Sequence, residues 1–442
     1  MPRVGKGEGL SSFSAIILTY IQRFKKGIKL IESIVDGQTF DVIIVGGGPS
    51  GTTCATFLGK AGKDVLVIDK AKFPRDKICG DGISGKSVKV LEELGVLPAM
   101  DKSEHIKMYG VTFSSPKGRV INIAAKSEYG EQPPGFVARR EVFDNVLFQN
   151  AKKYARTLEQ FQVMDLIWEG TQVVGIIGMD MATRKKYSFR AKVVVGADGA
   201  ASIVANKVKL DEIDERHQLV AIRCYFKGVK ELGDKIELHF VNELLPGYFW
   251  IFPLANGMAN VGAGMVTSDL KSKKINLQEA TMRAIKENPL FKARFEGAEQ
   301  VTPFKSWSLP VGSRHIKAHG NGFILLGDAA SLIDPFTGEG IGNALISGKI
   351  AAEYLLKAFE KNDFSETTLK AYEDALWKEV GNELRTSYKL QKIGQHKFLL
   401  NLVIDKAAKS KVVQEAISNS LINPQHRSAF SNPMFYLKAL FS

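Results

Sequence analysis

Three apolar runs along the chain each end in glycine, and they frame the reading. Asp41 to Val45 is short and β-branched, so it reads as a buried parallel strand. Gly46-Gly47-Gly48-Pro49-Ser50-Gly51 follows at once, then a helical pattern, then a second apolar run, Val65 to Ile68, closed by Asp69. Tyr187 to Val195 leads into Gly196-Ala197-Asp198-Gly199, and Phe323 to Leu326 leads into Gly327-Asp328. After that comes Pro335 to Gly342, with Gly338, Gly340 and Gly342 at spacing two, and a long helical pattern from Asn343 to about Phe359.

Between these runs the period changes to two. Met108 to Ala124 alternates like a hairpin turning at Ser115-Pro116-Lys117-Gly118. Phe161 to Gly178, Leu219 to Phe226 and Lys235 to Val241 read as further strands. Tyr248 to Pro253 and Met258 to Val266 flank Asn256-Gly257, a strong hairpin signal. A two-residue loop there pairs Tyr248, Trp250 and Phe252 with Met265, Ala263 and Val261, leaving Phe249 and Ile251 opposite Gly264 and Gly262. Ser84 to Leu94, Val137 to about Tyr154, and most of the chain beyond Ser365 read as helix.

The first segment carries chemistry. G-x-G-x-x-G between strand and helix is the dinucleotide fingerprint. Gly46 allows the turn, Gly48 admits a pyrophosphate, and Gly51 lets helix and strand pack closely. Pro49 suits the first helical turn, whose free N–H groups meet phosphate. Asp69 has the spacing of an acid that binds a ribose hydroxyl. Asp198 and Asp328 each put a carboxylate at a strand's C-terminal edge, where ligands sit in open α/β sheets. The glycines before Asn343 leave backbone N–H groups at a positive helix end, a site that stabilises an anionic reduced flavin. Flavin is therefore the more natural dinucleotide. Arg139 and Arg140 reach either a cofactor phosphate or solvent. Cys79, between a basic run and a glycine pair, is either a reactive thiol or an inert core residue.

Net charge is +13 over 442 residues, which favours anionic partners. No basic block interleaved with aromatics suggests a nucleic-acid groove, so lipid head groups and phosphorylated ligands are favoured. Cys54, Cys79 and Cys224 fit no zinc site, disulfide framework or four-thiolate cluster, and no metal is expected. A reducing, intracellular compartment is the simplest reading. Ser14 to Ile21 is too short to span a bilayer. Ile17, Ile21, Phe24, Ile28, Ile31 and Val35, with Arg23, Lys25, Lys26 and Lys29 between them, make a basic amphipathic helix that either lies on a membrane or packs on the protein. Asn432 to Phe441 is a short apolar helix open to the same two readings.

Together these segments resemble the geranylgeranyl reductase family, within the larger group similar to p-hydroxybenzoate hydroxylase. The resemblance spans roughly Phe40 to Ala358 and rests on the fingerprint with Asp69, on Asp76 to Gly82, on Val195 to Gly199, and on Gly327-Asp328 with the Pro335 to Gly342 run. A sharper signal is Tyr248-x-Trp250-x-Phe252-Pro253 followed by Gly262-x-Gly264, which resembles the family's substrate-cavity motif. The resemblance implies FAD, held by Gly46, Gly48, Pro49, Ser50, Gly51, Asp69, Lys70, Cys79, Gly80, Asp81, Arg140, Asp198, Gly199, Asp328, Gly340, Ile341 and Gly342. It implies an isoprenoid lipid substrate against the cavity motif, hydride delivery from flavin N5, and Cys79 near the flavin to position substrate or relay a proton. NAD(P)H or ferredoxin would supply electrons. The expected location is cytoplasmic, peripheral to the membrane. A monooxygenase or halogenase on the same fold is the first alternative, although Trp250-Ile251-Phe252-Pro253 departs from the halogenase element W-x-W-x-I-P. A flavoprotein electron carrier or a non-catalytic lipid-binding flavoprotein are the others.

The expected architecture is mixed α/β. A Rossmann-type FAD-binding domain comprises 39–104, 135–215 and 305–360. An inserted antiparallel-sheet substrate domain comprises 105–134 and 216–304. An N-terminal extension (1–38) and a C-terminal helical region (361–442) complete it.

Overall fold

Val42, Ile43 and Ile44 are wholly buried, as an all-apolar strand must be to sit in a sheet covered on both faces. A computed structural model describes residues 34–125, 135–211 and 214–422, and the N-terminal amphipathic stretch up to residue 33 and the apolar segment 432–441 lie outside them. Thr39–Val45 pairs in parallel with Val65–Ile68 on one side and with Lys186–Gly196 on the other. Phe323–Leu325 and Arg156–Leu158 extend the parallel order at either edge. Lys186–Gly196 does double service. Its C-terminal half joins the parallel sheet, and its N-terminal half pairs antiparallel with Gln172–Asp180, which pairs in turn with Phe161–Glu169. The helices Pro49–Lys60 and Ile341–Lys361 pack on each other over this sheet.

The second large sheet runs Glu299–Gln300, Gln218–Lys227, Met258–Val266, Tyr248–Leu254, Lys235–His239, Gly110–Ser114 and Val120–Ala124. Its far face buries Phe249, Ile251, Val261 and Ala263 against Leu277, Ala280 and Ala284 of the helix Leu277–Glu287. Period two then sends the alternate side chains to the opposite face, toward the first sheet. A small third sheet, Gly82–Ile83, Phe136–Val137 and Ile106–Lys107, lies at the crossing between the two.

Two expected boundaries move. Lys305–Pro310 pairs antiparallel with Gln218–Arg223, so the second sheet extends to Pro310 and does not stop at residue 304. The helix Glu366–Gly394 is no separate C-terminal unit over its first half, because Leu369, Tyr372, Leu376, Val380 and Leu384 belong to the core of the first sheet. Tyr372 donates its hydroxyl to the Leu325 carbonyl there (2.8 Å).

The hairpin register also differs. The loop holds three residues, Ala255–Gly257, with Asn256 at φ 61° and Gly257 at φ 67°. Tyr248 therefore faces Gly264, Trp250 faces Gly262, and Phe252 faces Asn260. One extra loop residue moves every partner of the returning strand to the other face. The glycines serve the aromatic wall itself, since a Cβ on Gly262 would lie 2.3 Å from Trp250 Cζ2.

Candidate active site

The fingerprint divides its glycines between fold and ligand. A Cβ on Gly46 would stand 2.2 Å from the Ala197 carbonyl oxygen, and one on Gly51 2.0 Å from that of Gly46. A Cβ on Gly48 would meet nothing nearer than Arg75 Nη2 at 3.8 Å. Gly46 and Gly51 are thus small for packing, and Gly48 is small to leave room. The helix that begins at Pro49 has no side-chain cap at Gly48, so its N-terminal donors are available to a phosphate. Asp69 Oδ2 accepts from Gly47 N and Oδ1 from Ala71 N, both at 2.8 Å. A carboxylate has about four lone-pair positions, so two are left for a ribose hydroxyl. Exposed Lys70 stands next to it. Ser50 is buried, its Oγ 3.0 Å from where a Gly327 Cβ would be. Open space at Gly48, an uncapped helix start and an acid at the second strand's end are the features a dinucleotide needs.

A cavity of about 260 Å³ opens where the two sheets meet. Pro49, Lys77, Cys79, Gly80, Arg140, Asp328, Gly340 and Ile341 line its cofactor side, and Tyr248, Trp250, Phe252 and Gly264 its sheet side. The aromatic wall seats the cofactor loops as well as facing the cavity. Cβ atoms on Gly80 and Gly82 would each lie 3.2 Å from the Phe252 ring, and one on Gly338 3.0 Å from the Tyr248 hydroxyl. Tyr248 donates that hydroxyl to the Thr337 carbonyl (2.6 Å). Trp250 donates Nε1–H to Asn260 Oδ1 (2.9 Å), and Asn260 Nδ2 donates to the Cys79 carbonyl (2.7 Å). Asn260 belongs to no motif, yet it ties the wall to the cysteine loop. Pro253 and Gly262 do not line the cavity; Pro253 is buried on the far face and Gly262 lies under the Trp250 ring.

Arg140 neither contacts solvent nor stands free for a phosphate. It is 3% exposed and clamps Asp144 through Nε and Nη2, each at 2.7 Å, while Arg75 holds the same carboxylate at 2.6 Å. Burial would lower the guanidinium pKa, but Asp144 outweighs it and raises the value. Cys79 stands beside this fixed cation at the cavity wall. Lys77 Nζ bridges to Asp328 Oδ2 (3.0 Å) and so joins the loop after the second strand to the Gly327-Asp328 turn. Of the glycine run, the Gly342 N–H is already given to Glu339 Oε1 (2.6 Å), so Gly340 and Ile341 form the cavity-facing helix start.

Two predicted ligand acids are turned to the protein's own use. Asp198 accepts from Ser202 Oγ (2.5 Å) and Ile203 N (2.7 Å) at the start of the short helix Ile203–Lys207, whose N-cap is Ser202, with Gly199 at φ 81° in the turn before it. Asp81 is fully buried, and its Oδ2 accepts from Tyr225 Oη (2.9 Å) and Asn260 Nδ2 (2.8 Å). Burial pushes the Asp81 carboxyl up to about 6, against the pull of Asn260, Arg223, Tyr225 and Arg140. Its folded pKa thus lies above the unfolded value of 3.8, so ionised Asp81 costs stability that is absent below about pH 4 and fully felt above about pH 6. Asp81→Asn stays neutral and should gain on the parent by about 2–3 kcal/mol between those limits. Urea unfolding at pH 4.5 and 7.5 measures this, and an unchanged difference between the two would show that Asp81 is not raised.

The FAD binding domain family matches residues 39–377. The digeranylgeranylglycerophospholipid reductase of Methanocaldococcus jannaschii is 33% identical over 359 residues, covering 79% of this chain and 85% of that protein. This protein is an FAD-dependent oxidoreductase of the geranylgeranyl reductase family. A menaquinone reductase of Mycobacterium tuberculosis is 32% identical over 323 residues, covering 71% of this chain and 76% of its own. The crystal structure of a geranylgeranyl bacteriochlorophyll reductase-like protein from Thermoplasma acidophilum superposes with a TM-score of 0.76 at 24% identity, over 89% of this chain and 98% of that one. That likeness concerns the fold. The family membership fixes the cofactor as FAD, which the open Gly48 cradle and Asp69 fit.

Proposed function

We propose that this enzyme saturates carbon–carbon double bonds of geranylgeranyl chains carried on a membrane lipid or lipid precursor. The observation that carries the reading is the cavity itself, apolar and aromatic on the sheet side and bounded by the fingerprint helix, the Cys79 loop and the Gly340 helix start on the other. Reduced FAD, when bound, supplies the hydride. The chain's own residues do the rest. Trp250 and Tyr248 hold a prenyl chain by contact, and Gly264 and Ala221 leave room beside them. An unactivated alkene is a poor electrophile, so fixed placement provides much of the acceleration. Cys79 Sγ, held against Arg140, is the proposed atom for proton delivery to the second carbon.

No described helix is long and apolar enough to cross a membrane. Contact with the lipid phase is accordingly proposed as peripheral. Electrons would come from NAD(P)H or ferredoxin.

The test is anaerobic reduction of the holoenzyme by dithionite, followed by addition of a digeranylgeranylglyceryl phospholipid. Flavin reoxidation with a gain of two mass units per bond is expected. A flavin that stays reduced until oxygen enters would remove prenyl reduction from the reading and favour hydroxylation substrates.

A further inference from the structure

The cavity floor has a polar end that the fingerprint and the aromatic motif leave unexplained. Register places Lys305, Arg223, Gly262 and Trp250 in one row across four strands, and Trp307, Ala221, Gly264 and Tyr248 in the next. Small residues therefore lie between an aromatic end and a cationic end. Two strand spacings, about 10 Å, separate the Arg223 and Trp250 strands.

Arg223 is 1% exposed and lines the cavity. Its Nη2 donates to Asp76 Oδ1 (2.6 Å) and, at 3.5 Å, to the Lys77 carbonyl, and its guanidinium stacks 4.3 Å from the Tyr225 ring centre. Its Nε and Nη1 are out of solvent and have no partner among the described residues. The indole Nε1 of Trp307, which also lines the cavity, is buried without a partner too. Lys305 Nζ holds the other oxygen of Asp76 (3.3 Å), so Arg223 and Lys305 share that carboxylate and Arg223 Nε and Nη1 are left over. Buried donors are rarely left unmade in a folded protein unless something else supplies the acceptor.

We propose, on the basis of the prenyl-lipid reading, that Arg223 and Trp307 form an oxyanion seat for the phosphate of the substrate. The prenyl chain runs from that seat across Ala221 and Gly264 to Tyr248 and Trp250. The seat fixes how far along the chain the reacting bond lies, and selects phosphate-bearing lipids over neutral ones.

The experiment compares binding of geranylgeranyl monophosphate and geranylgeraniol to the oxidised FAD-loaded enzyme by perturbation of the flavin spectrum, so no turnover is needed. The parent should prefer the phosphate at least tenfold. Trp307→Phe removes only the N–H and should cut that preference several-fold. Arg223→Gln should abolish it, with geranylgeraniol affinity unchanged within twofold in both variants. Equal affinity of the parent for the two ligands overturns the seat and leaves prenyl binding standing. Absence of binding by either ligand overturns both. Equal weakening of both ligands in the variants assigns Arg223 and Trp307 a structural role only. Slower flavin reduction by NADPH in the variants, with lipid preference intact, gives the seat to the reductant instead.

Discussion

Asp144→Ala should cost about 3–5 kcal/mol of stability, the range for removing one partner of a buried ion pair. Asp144 is wholly buried and answers two guanidinium groups, Arg140 at 3% side-chain exposure and Arg75 at 17%. Without it the two cations face each other inside the protein, and Arg140 loses the contacts that hold it beside Cys79. Urea unfolding of the apoprotein reads the effect, and a loss below about 1 kcal/mol, the scale of an exposed pair, would mean the clamp is not structural. The triple change Arg75→Met, Arg140→Met and Asp144→Leu should recover much of the stability, because an apolar set of similar volume often replaces a buried ion cluster without loss. It should not restore the environment of Cys79, so alkylation rates at that thiol should still differ from the parent.

Gly48→Val should separate folding from cofactor binding. Its Cβ points into space with only Arg75 Nη2 at 3.8 Å, and the backbone at Gly48 is extended (φ −76°, ψ −175°), a conformation valine favours. The apoprotein should melt within a degree or two of the parent, while FAD affinity falls at least a hundredfold because the added methyls stand where the pyrophosphate approaches. Gly51→Ala should behave in the opposite way. Its Cβ would sit 2.0 Å from the Gly46 carbonyl oxygen, so the apoprotein itself should be destabilised. Apoprotein melting and FAD titration of both variants measure the contrast. Equal apoprotein losses would show that Gly48 is also needed for packing.

The elements most legible in the sequence were those whose cause is local. The strand of Val42 to Val45, the glycine turn and the helix from Pro49 lie within one short stretch, and the structure reproduces them. Backbone features named in the sequence keep an open geometry in the structure: space at Gly48, two spare acceptor positions on Asp69 and the Gly340 helix start at the cavity. The site was not legible where a side chain had a choice of partners. Asp81 and Asp198 stand at ligand-like positions, but buried N–H and O–H groups nearby claim them. No local pattern records that competition. Arg140 and Asp144 are four residues apart in one helix, a spacing that does predict a pair, so that clamp was readable. Arg223 was signalled too, as a single charge inside the apolar run Leu219 to Phe226, and a lone charge in a buried strand asks for a partner. The assignment of Lys305–Pro310 failed for another reason. Its partner strand lies far back in the sequence, and long-range pairing leaves no mark on the segment itself.

The loop Ala255–Gly257 imposes a parity rule on this hairpin. Side chains alternate across a sheet with a period of two, so an odd change in loop length transposes the returning strand and an even one preserves it. Losing one residue would bring Val261 and Ala263 to the cavity and send Gly262 and Asn260 into the helix-packed core, stranding a polar amide there and removing the tie between Trp250 and Cys79. Adding two would leave the wall in place. Length variation at this turn is therefore quantised in pairs, and the small-residue row that seats the aromatics is inherited as a whole or lost as a whole.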